Sequence, residues 1–367
     1  MQKIKVLHVV ESLGGGVFTY IKDLTFFFRK HNTLFDTTVA YCNKRPEVSN
    51  LNLKKELSNG VSLIEVDINK EISLRDFKSL YDIIKIYYSL QPDIIHLHSS
   101  KAGVLGKFAS LFYRKAKVFY TPHGYSFLRK DIMSTKNNLF YYIEKYTTKF
   151  LGGTTIACGD SEYDLAKELG KALLVRNGIN VPYILNKHKS EKLCNNRIVI
   201  GTIGRIAHVK NPDLFNKIAL NNPDLDFLWI GDGDSKEILN APNIHVTGWL
   251  NREKIFEHLN KLDIYIQTSL REGLPIAPLE AMIFQKPVLA TNTFGNKDVV
   301  THEKTGFLFT NENDAQKYIN ILKDLKICKK MGKAGMERCM EYFDLNKNFI
   351  SLLNIYLDCL HKDIRKD

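Results

Sequence analysis

The pattern that predicts the fold is clearest from residue 73 to residue 123. This stretch reads SLRDFKSLYDIIKIYYSL (73–90), DIIHLH (93–98), AGVLGKFASLFYRK (102–115) and KVFYTPH (117–123). In the first and third segments, apolar residues recur three and four positions apart, which predicts amphipathic helices. The second and fourth segments are short β-branched or aromatic runs, which predict strands. Alternation of helix and strand is typical of parallel sheets covered by helices.

The same alternation runs through the rest of the chain and restarts after residue 195. Further strand-like runs before this point are KIKVLHVV (3–10), TTVAY (37–41) and VSLIEVD (61–67). The later runs are RIVIGTIGR (197–205), LDFLWIGDG (225–233), NIHVTGW (243–249), LDIYIQTS (262–269), KPVLATN (286–292) and GFLF (306–309). Two such series predict an α/β protein with two doubly wound, Rossmann-like domains that face a central cleft. Ligands bind outside the carboxyl ends of the strands in such sheets.

The domain boundaries are expected around a polar segment without periodicity, LNKHKSEKLCNN (185–196). The tail from Lys329 to Asp367 is predicted to be helical. The expected division is an N-terminal domain over 1–185, a linker over 186–196, a C-terminal domain over 197–344 and a last helix over 345–367.

The composition limits which classes of protein and which kinds of partner are possible. The 367 residues carry a net charge of +12, and residues 101–150 alone hold ten Lys/Arg against two Asp/Glu. Such a basic patch attracts nucleic acid, an anionic membrane surface or a phosphorylated substrate. The six cysteines form no CxxC pair, which indicates reduced thiols in the cytoplasm. No apolar run approaches the roughly eighteen residues of a membrane span.

Two segments of the N-terminal half are candidates for a site. GGGV (Gly14–Val17) follows the first strand and lets a backbone approach a ligand at the start of a helix, where free N–H groups favour an anion. The alternative is a plain strand-to-helix turn. His123 lies between Pro122 and Gly124 in a tight loop and is expected in the site. His98, at the end of a strand, is expected to be a structural side chain.

Two segments of the C-terminal half carry charges after strands. GRIAHVKNPD places Arg205 and Lys210 at a loop and helix start, where two cations suit a diphosphate; the alternative is a solvated loop. GDGD (Gly231–Asp234) contains an Asp-x-Asp pair that a divalent metal could use. No third hard ligand lies nearby, so a turn is the favoured interpretation.

SLREGLPIAPLEAM (Ser269–Met282) places Glu272 before, and Glu280 inside, a helix that Pro275 favours at its start. The two carboxylates could be an acid/base pair, a ligand clamp or an ordinary helix start. A glycosidase pair usually comes from different elements. We favour the clamp, with a phosphate on the helix N–H groups and a carboxylate on hydroxyls at each side.

These motifs, in this order, resemble glycosyltransferase family four, whose members are retaining, nucleotide-sugar-dependent enzymes with the GT-B fold. The resemblance is carried by GGGV, PHG, RNGI, GRIAHVKNPD, GDGD, VTGW and REGLPIAPLEAM…KPVLATNTFGNKDVV…TGFL. It covers nearly the whole chain. It implies an N-terminal acceptor domain, a C-terminal nucleotide-sugar domain and a last helix that crosses back onto the N-terminal domain. The family usually has Glu where Asp298 stands.

The resemblance also implies roles for the candidate residues. Glu272 would contact the donor sugar and Glu280 the ribose, while Arg205 and Lys210 would neutralise the diphosphate and His123 would reach the transferred sugar. The implied catalytic residues are His123, Glu272, Arg205 and Lys210. The implied donor-binding residues are Gly15, Gly16, Trp249, Leu250, Gly273, Leu274, Pro275, Ile276 and Glu280. No metal or other cofactor is expected, because these cations and a helix N-terminus can stabilise the leaving diphosphate.

The expected activity is transfer of a hexosyl or N-acetylhexosaminyl group, with UDP-sugars the favoured donors on family frequency. The acceptor would be a saccharide or lipid-linked saccharide in polysaccharide, O-antigen or capsule synthesis. Arg129, Lys130 and Lys136 are the expected acceptor or membrane patch, at the inner face of the cell membrane. The alternatives are a GT-B nucleotide-sugar epimerase or phosphorylase, and a nucleic-acid-binding protein, which the glutamate pair disfavours.

Overall fold

The computed structural model describes residues 3–11, 13–42, 53–57, 60–68, 72–129, 133–187 and 197–364. The chain divides into two compact units, each built on one parallel sheet. The first unit contains Met1–Arg176 and Asn346–Asp367, and the second contains Asn177–Leu345. The α/β, doubly wound architecture predicted from the sequence is confirmed.

The first unit has a seven-stranded sheet of order β3-β2-β1-β4-β5-β6-β7, in which every pairing is parallel. Its strands are β1 (Ile4–Val10), β2 (Phe35–Tyr41), β3 (Ser62–Glu65), β4 (Ile94–His98), β5 (Lys117–Thr121), β6 (Thr154–Ala157) and β7 (Ala172–Leu174). The helices between them are α1 (Gly15–Lys30), α2 (Leu53–Glu56), α3 (Arg75–Leu90), α4 (Ser100–Ser110), α5 (Ser134–Leu151) and α6 (Asp160–Leu169). The strand order reverses between β1 and β4, which is the point where such sheets bind ligands.

The second unit has a six-stranded parallel sheet of order β10-β9-β8-β11-β12-β13. Its strands are β8 (Val199–Ile203), β9 (Asp226–Ile230), β10 (Ile244–Val246), β11 (Ile264–Gln267), β12 (Val288–Thr291) and β13 (Gly306–Phe309). Its helices are α7 (Val181–Leu185), α8 (Pro212–Leu220), α9 (Arg252–Lys261), α10 (Ile276–Ile283), α11 (Asn296–Val299), α12 (Glu312–Leu322) and α13 (Leu325–Tyr342). Trp229 on β9 is fully buried, and Phe215 packs edge-on against it in the core.

The boundary between the units lies earlier than predicted, after Arg176 instead of after residue 185. Ile179 forms a parallel bridge with Asp344, and its N–H donates to the Phe343 carbonyl at 2.9 Å. These bonds, and the packing of α7 against α10, attach this segment to the second unit. Most of the predicted linker, 188–196, lies outside the described residues.

The predicted helical tail is two helices rather than one. Helix α13 ends at Tyr342, and Phe343 and Asp344 are not helical. The last helix, α14 (Leu345–Ile364), belongs to the first unit from Asn346 onward. There Phe349 packs edge-on against Tyr20, and Tyr356 stacks on Phe28 at a ring distance of 6.0 Å. The last helix therefore completes the core of the first unit.

Candidate active site

A partly buried ion pair lies beyond the carboxyl ends of β8 and β11 in the second unit. Lys210 Nζ donates to Glu272 Oε1 at 2.7 Å, and Gln267 Nε2 donates to the same oxygen at 2.9 Å. Lys210 belongs to the short 3₁₀ turn after β8, and Gln267 ends β11. Among the described residues, nothing hydrogen-bonds to Glu272 Oε2. The pair thus presents one oxygen held by the protein and one available to a ligand.

The loop that carries Glu272 is held by its backbone. The N–H of Glu272 donates to the Phe294 carbonyl at 3.0 Å. Gly295 has a left-handed φ of 83°, and a Cβ there would lie 2.5 Å from the Gly273 carbonyl oxygen and 2.7 Å from that of Glu272. Only glycine allows this close approach, so Gly295 sets the position of the loop.

Helix α10 begins directly after this loop and leaves its first turn open to an anion. Pro275 precedes the helix, no side chain caps its N-terminus, and its first turn contains no acidic residue. Unpaired N–H groups and the helix dipole both favour negative charge at such an end. Gly273, Leu274 and Pro275 precede the helix and Ile276 begins it, so Pro275 lies just before the first turn in which it was expected.

Glu280 lies on α10 in a different environment from Glu272. Its side chain is buried, and Arg252 Nη2 lies 2.6 Å from its Oε1. Burial raises the pKa of the Glu280 carboxyl, and Arg252 opposes this rise. Arg252 was not among the predicted site residues, because nothing in its local sequence indicates a partner on another helix. Each glutamate therefore has its own cation.

The remaining predicted residues of the second unit lie in loops after strands. Arg205 follows β8 and is half-buried, and Trp249 is 62% exposed after Gly248, which has a φ of 74°. Leu250 follows it, half-buried. GDGD is a turn: Asp232 Oδ1 accepts from the Gly233 N–H at 2.9 Å. A Cβ at Gly231 would lie 2.2 Å from the Gly204 carbonyl oxygen, so this turn packs against the loop that begins at Gly204.

In the first unit, α1 begins at the predicted glycine turn after β1. Gly15 has a φ of 54°, and Gly14 precedes the helix without a side-chain cap. The first turn of α1 contains no acidic residue, and Cβ atoms at Gly15 and Gly16 would meet no atom within 4 Å. The N–H groups at this helix start are therefore accessible to an anion.

The His123 loop is held in an unusual conformation by a buried glutamate. His123 has a φ of 53°, in the left-handed region that non-glycine residues seldom adopt. Glu162, in the first turn of α6, accepts from the N–H of Gly124 at 2.7 Å and from that of Cys158 at 2.8 Å. Glu162 was not among the predicted site residues, because the short strand before it, β6, was not anticipated.

His98, which was expected to be a structural side chain, is fully buried and contacts two other histidines. Its Nδ1 lies 3.1 Å from His123 Nε2, and its Nε2 lies 3.0 Å from Nδ1 of His8 on β1. The sequence signal was the pair His96 and His98, whose side chains share one face of β4 because strand residues two apart point the same way. Burial lowers the pKa of His8 and His123 to about 3 and that of His96 and His98 well below the usual value.

His8, His96 and His98 lie close enough together to be considered as metal ligands. However, both nitrogens of His96 already have partners, the hydroxyls of Tyr356 and Thr121. A metal would have to displace one of these bonds. The histidine cluster is therefore better described as a hydrogen-bonded network than as a preformed metal site.

Two family models match this chain. "Glycosyl transferases group 1" matches residues 184–338, and "Glycosyl transferase 4-like" matches residues 44–158. A UDP-Gal:alpha-D-GlcNAc-diphosphoundecaprenol alpha-1,3-galactosyltransferase of Escherichia coli is 30% identical over 79% of this chain and 81% of its own length. The capsular polysaccharide biosynthesis glycosyltransferase CapM of Staphylococcus aureus is 24% identical, over 79% of this chain and 83% of its own.

Solved structures resemble the whole chain. Sucrose-phosphate synthase from Thermosynechococcus elongatus has a TM-score of 0.81 at 16% identity and covers 98% of this chain and 100% of its own. Anabaena Alr3699/HepE, in complex with UDP and glucose, has a TM-score of 0.75 at 18% identity, with coverages of 96% and 99%. At these identities the likeness establishes the fold alone.

The two parallel sheets and the likeness to these structures establish the GT-B fold. The chain belongs to the group 1, family four-like glycosyltransferases, and it is a sugar transferase. The predicted fold, family and enzyme class are confirmed. The roles assigned to individual site residues remain predictions.

Proposed function

We propose that the protein is a retaining glycosyltransferase that moves a hexosyl or N-acetylhexosaminyl group from a UDP-sugar to a lipid-linked saccharide in surface-polysaccharide synthesis. The Lys210–Glu272 pair beside the uncapped start of α10 carries this proposal. It combines a cation and free N–H groups for a diphosphate with a carboxylate oxygen for sugar hydroxyls. The names of the similar proteins described above support UDP as the nucleotide and a diphosphate lipid as the acceptor.

In this proposal, the bond between the sugar C1 and the diphosphate oxygen breaks, and a bond from C1 to the acceptor oxygen forms on the same face. A phosphate oxygen takes the acceptor proton, so no carboxylate acts as a base. Lys210, Arg205 and the start of α10 stabilise the charge that develops on the diphosphate. Glu272 holds the sugar through Oε2, and Glu280 holds the ribose. In the first unit, we assign the start of α1 to the diphosphate and His123 to the transferred sugar.

The direct test is incubation with a panel of UDP-, GDP- and dTDP-sugars, with and without a saccharide diphosphate lipid. We expect release of UDP and a product larger by one sugar, whose anomeric configuration by NMR matches that of the donor. A nucleotide sugar of changed configuration, without UDP release, would instead indicate an epimerase. We also propose that no metal is required, so activity should survive excess EDTA. Loss with EDTA and recovery with Mg²⁺ would contradict this.

We further propose that the enzyme works at the cytoplasmic face of a membrane through the outward side of α3, α4 and α5, which we call the apolar helix face. These helices pack side by side, and Tyr88 Oη donates to the Phe112 carbonyl at 2.7 Å between α3 and the end of α4. Its exposed large side chains are Phe77, Tyr81, Tyr88, Phe108, Leu111, Phe112, Leu139, Tyr142, Tyr146 and Phe150.

The charge near the apolar helix face supports an anionic lipid surface as its occupant. The lysines Lys85, Lys145 and Lys149 each lie within 6 Å of an aromatic ring of α3 or α5. Residues 101–150 hold ten basic against two acidic residues. Exposed rings with cations beside them suit the headgroup region, where each cation contributes about 1 kcal/mol. No helix in the described ranges is long and apolar enough to cross a membrane.

The predicted patch of Arg129, Lys130 and Lys136 lies at and before the start of α5. Lys136 is exposed at the start of α5, and Arg129 is half-buried. Lys130 lies outside the described residues. The exposed rings are further along α5, where Tyr142, Tyr146 and Phe150 stack in succession at 6.0 Å.

Co-sedimentation with vesicles tests the membrane proposal. Replacing Tyr142, Tyr146 and Phe150 by Ser should lower binding to anionic vesicles at least tenfold without changing UDP binding. Replacing Arg129, Lys130 and Lys136 by Ser should also lower binding to anionic vesicles, because three positive charges are removed. The matched control is Phe26→Ser, since Phe26 is also an exposed ring flanked by cations but lies on α1. Equal binding to neutral and anionic vesicles, or no change in either triple variant, would contradict the proposal.

A further inference from the structure

Three imidazoles form a hydrogen-bonded chain from the interior of the first unit to its candidate site. His8 Nδ1 lies 3.0 Å from His98 Nε2, and His98 Nδ1 lies 3.1 Å from His123 Nε2. His8 and His98 are fully buried, and His123 is half-buried. The chain therefore joins two enclosed rings to one that a ligand can reach.

The number of protons on this chain limits its arrangement. Burial holds the pKa of all three rings far below neutrality, so each ring carries one N–H at pH 7. Each of the two nitrogen-to-nitrogen contacts needs one hydrogen, and a neutral imidazole has one donor and one acceptor. All N–H groups must then point the same way along the chain, either toward His123 or toward His8.

The interior end distinguishes the two directions. If the N–H groups point toward His8, its Nε2 carries a hydrogen, yet this buried atom has no hydrogen-bond partner among the described residues. If they point toward His123, only a lone pair remains unpaired there. Buried N–H groups without an acceptor are the rarer case in folded proteins. The favoured direction therefore places the hydrogen of His123 on Nδ1.

Nδ1 is also the nitrogen of His123 that the protein leaves available. No described residue hydrogen-bonds to it, whereas Nε2 is occupied by His98. The ring is held in place by an edge contact with Tyr20 at 4.9 Å and by the Glu162 bond to the N–H of Gly124. The chain thus determines both the orientation of this ring and which nitrogen carries its proton.

We propose that His98 and His8 are positioning residues that hold His123 in its Nδ1–H form, so that this ring donates a hydrogen bond to an oxygen of the transferred sugar. The identity of the ligand rests on the proposed function; the protonation pattern does not. A ring fixed as a donor selects an oxygen that accepts. His98 and His8 would then contribute to sugar recognition without touching the sugar.

Nitrogen-15 NMR of the full chain, labelled at histidine, tests the protonation pattern directly. Long-range proton–nitrogen spectra distinguish Nδ1–H from Nε2–H, and the His123→Gln variant assigns the His123 signals. We expect Nδ1–H for His123 in the wild type at pH 7. His98→Phe removes the hydrogen bonds between the histidines but keeps a ring at this position. It should shift the proton of His123 toward Nε2. His98→Asn keeps a donor near the Nδ1 position and should preserve the wild-type form.

An Nε2–H signal for His123 in the wild type overturns the proposal without any variant. An unchanged tautomer in folded His98→Phe also overturns it. His245→Phe is the control, since His245 is exposed on β10 and should change nothing.

Transfer assays test the link to the sugar. His98→Phe should lower kcat about tenfold with UDP affinity unchanged, and His98→Asn should recover most of this loss. A shifted tautomer with unchanged transfer would remove His123 from sugar recognition and overturn that part. Failure of the proposed function would be visible separately, as a wild type that releases no UDP from any UDP-sugar.

Discussion

Lys210 Nζ and Glu272 Oε1 lie 2.7 Å apart, although the two residues are 62 positions apart in the chain. The cation thus serves a carboxylate of the protein as well as any bound diphosphate. Lys210→Met removes both interactions and leaves the Glu272 charge partly buried. We expect transfer to fall about a hundredfold or more, which corresponds to roughly 3 kcal/mol. The control is Lys217→Met, an exposed lysine on α8; near-wild-type turnover of folded Lys210→Met would exclude Lys210 from the site.

Gly295→Ala tests whether the position of the Glu272 loop matters. The added Cβ would lie 2.5 Å from the Gly273 carbonyl oxygen, so the loop must move. We expect transfer to fall at least tenfold. Gly152→Ala is a matched control, because Gly152 has a φ of 74° against 83° for Gly295 but no atom within 4 Å of its Cβ position. The two variants share the backbone strain, so an equal loss of activity in both would show that strain, and not loop displacement, is responsible.

Glu280→Gln tests the nucleotide assignment with little change of shape. Glutamine keeps the volume but removes the charge that faces Arg252 and the proposed ribose. A hydrogen bond to a charged group contributes about 1.5–3 kcal/mol, so we expect UDP to bind at least tenfold more weakly by calorimetry. Glu253→Gln, at an exposed glutamate on α9, should leave UDP affinity unchanged. Unchanged affinity in Glu280→Gln would separate Glu280 from the nucleotide and leave it a structural partner of Arg252.

The buried histidines should make the protein sensitive to mild acid. Burial lowers the folded-state pKa of His8, His96 and His98, whereas the unfolded chain binds these protons near pH 6.5. The stability that they contribute is present above this value and is lost as pH falls through it toward the folded pKa. Between the unfolded-state and the folded-state pKa, each such histidine lowers the free energy of unfolding by about 1.4 kcal/mol for each pH unit of acidification.

Urea unfolding between pH 7 and pH 5 measures this loss. His98→Asn should make the decrease with pH shallower by about one histidine, while His245→Gln, at an exposed position, should leave the slope as in the wild type. Identical slopes for all three proteins would show that His98 is protonated in the folded state.

Features encoded in local sequence could be predicted, and those that depend on strand or helix neighbours could not. Runs such as DIIHLH and GFLF contain enough apolar residues to indicate strands, and each was found. β6 and β7 are the short runs TTIA and ALL. They were not anticipated.

The candidate site shows the same division. Glu272, Pro275 and Glu280 could be placed because they lie in one short segment around a helix start. The partner of Glu280, Arg252, depends on how α9 lies against α10. The contact of His8 with His98 depends on β1 pairing with β4, a neighbour relation that the order of the strands along the chain does not specify.

The return of α14 to the first unit has a consequence for biosynthesis. Tyr356 and Phe349 are fully or almost fully buried there and cover His96, Phe28 and Tyr20. The ribosome adds these two residues only after it has made the whole of the second unit. Most domains can complete their cores as they emerge, with the N-terminal one first. Here the domain whose synthesis starts first is the last to be finished, and its core stays open on one side until translation has reached the final helix.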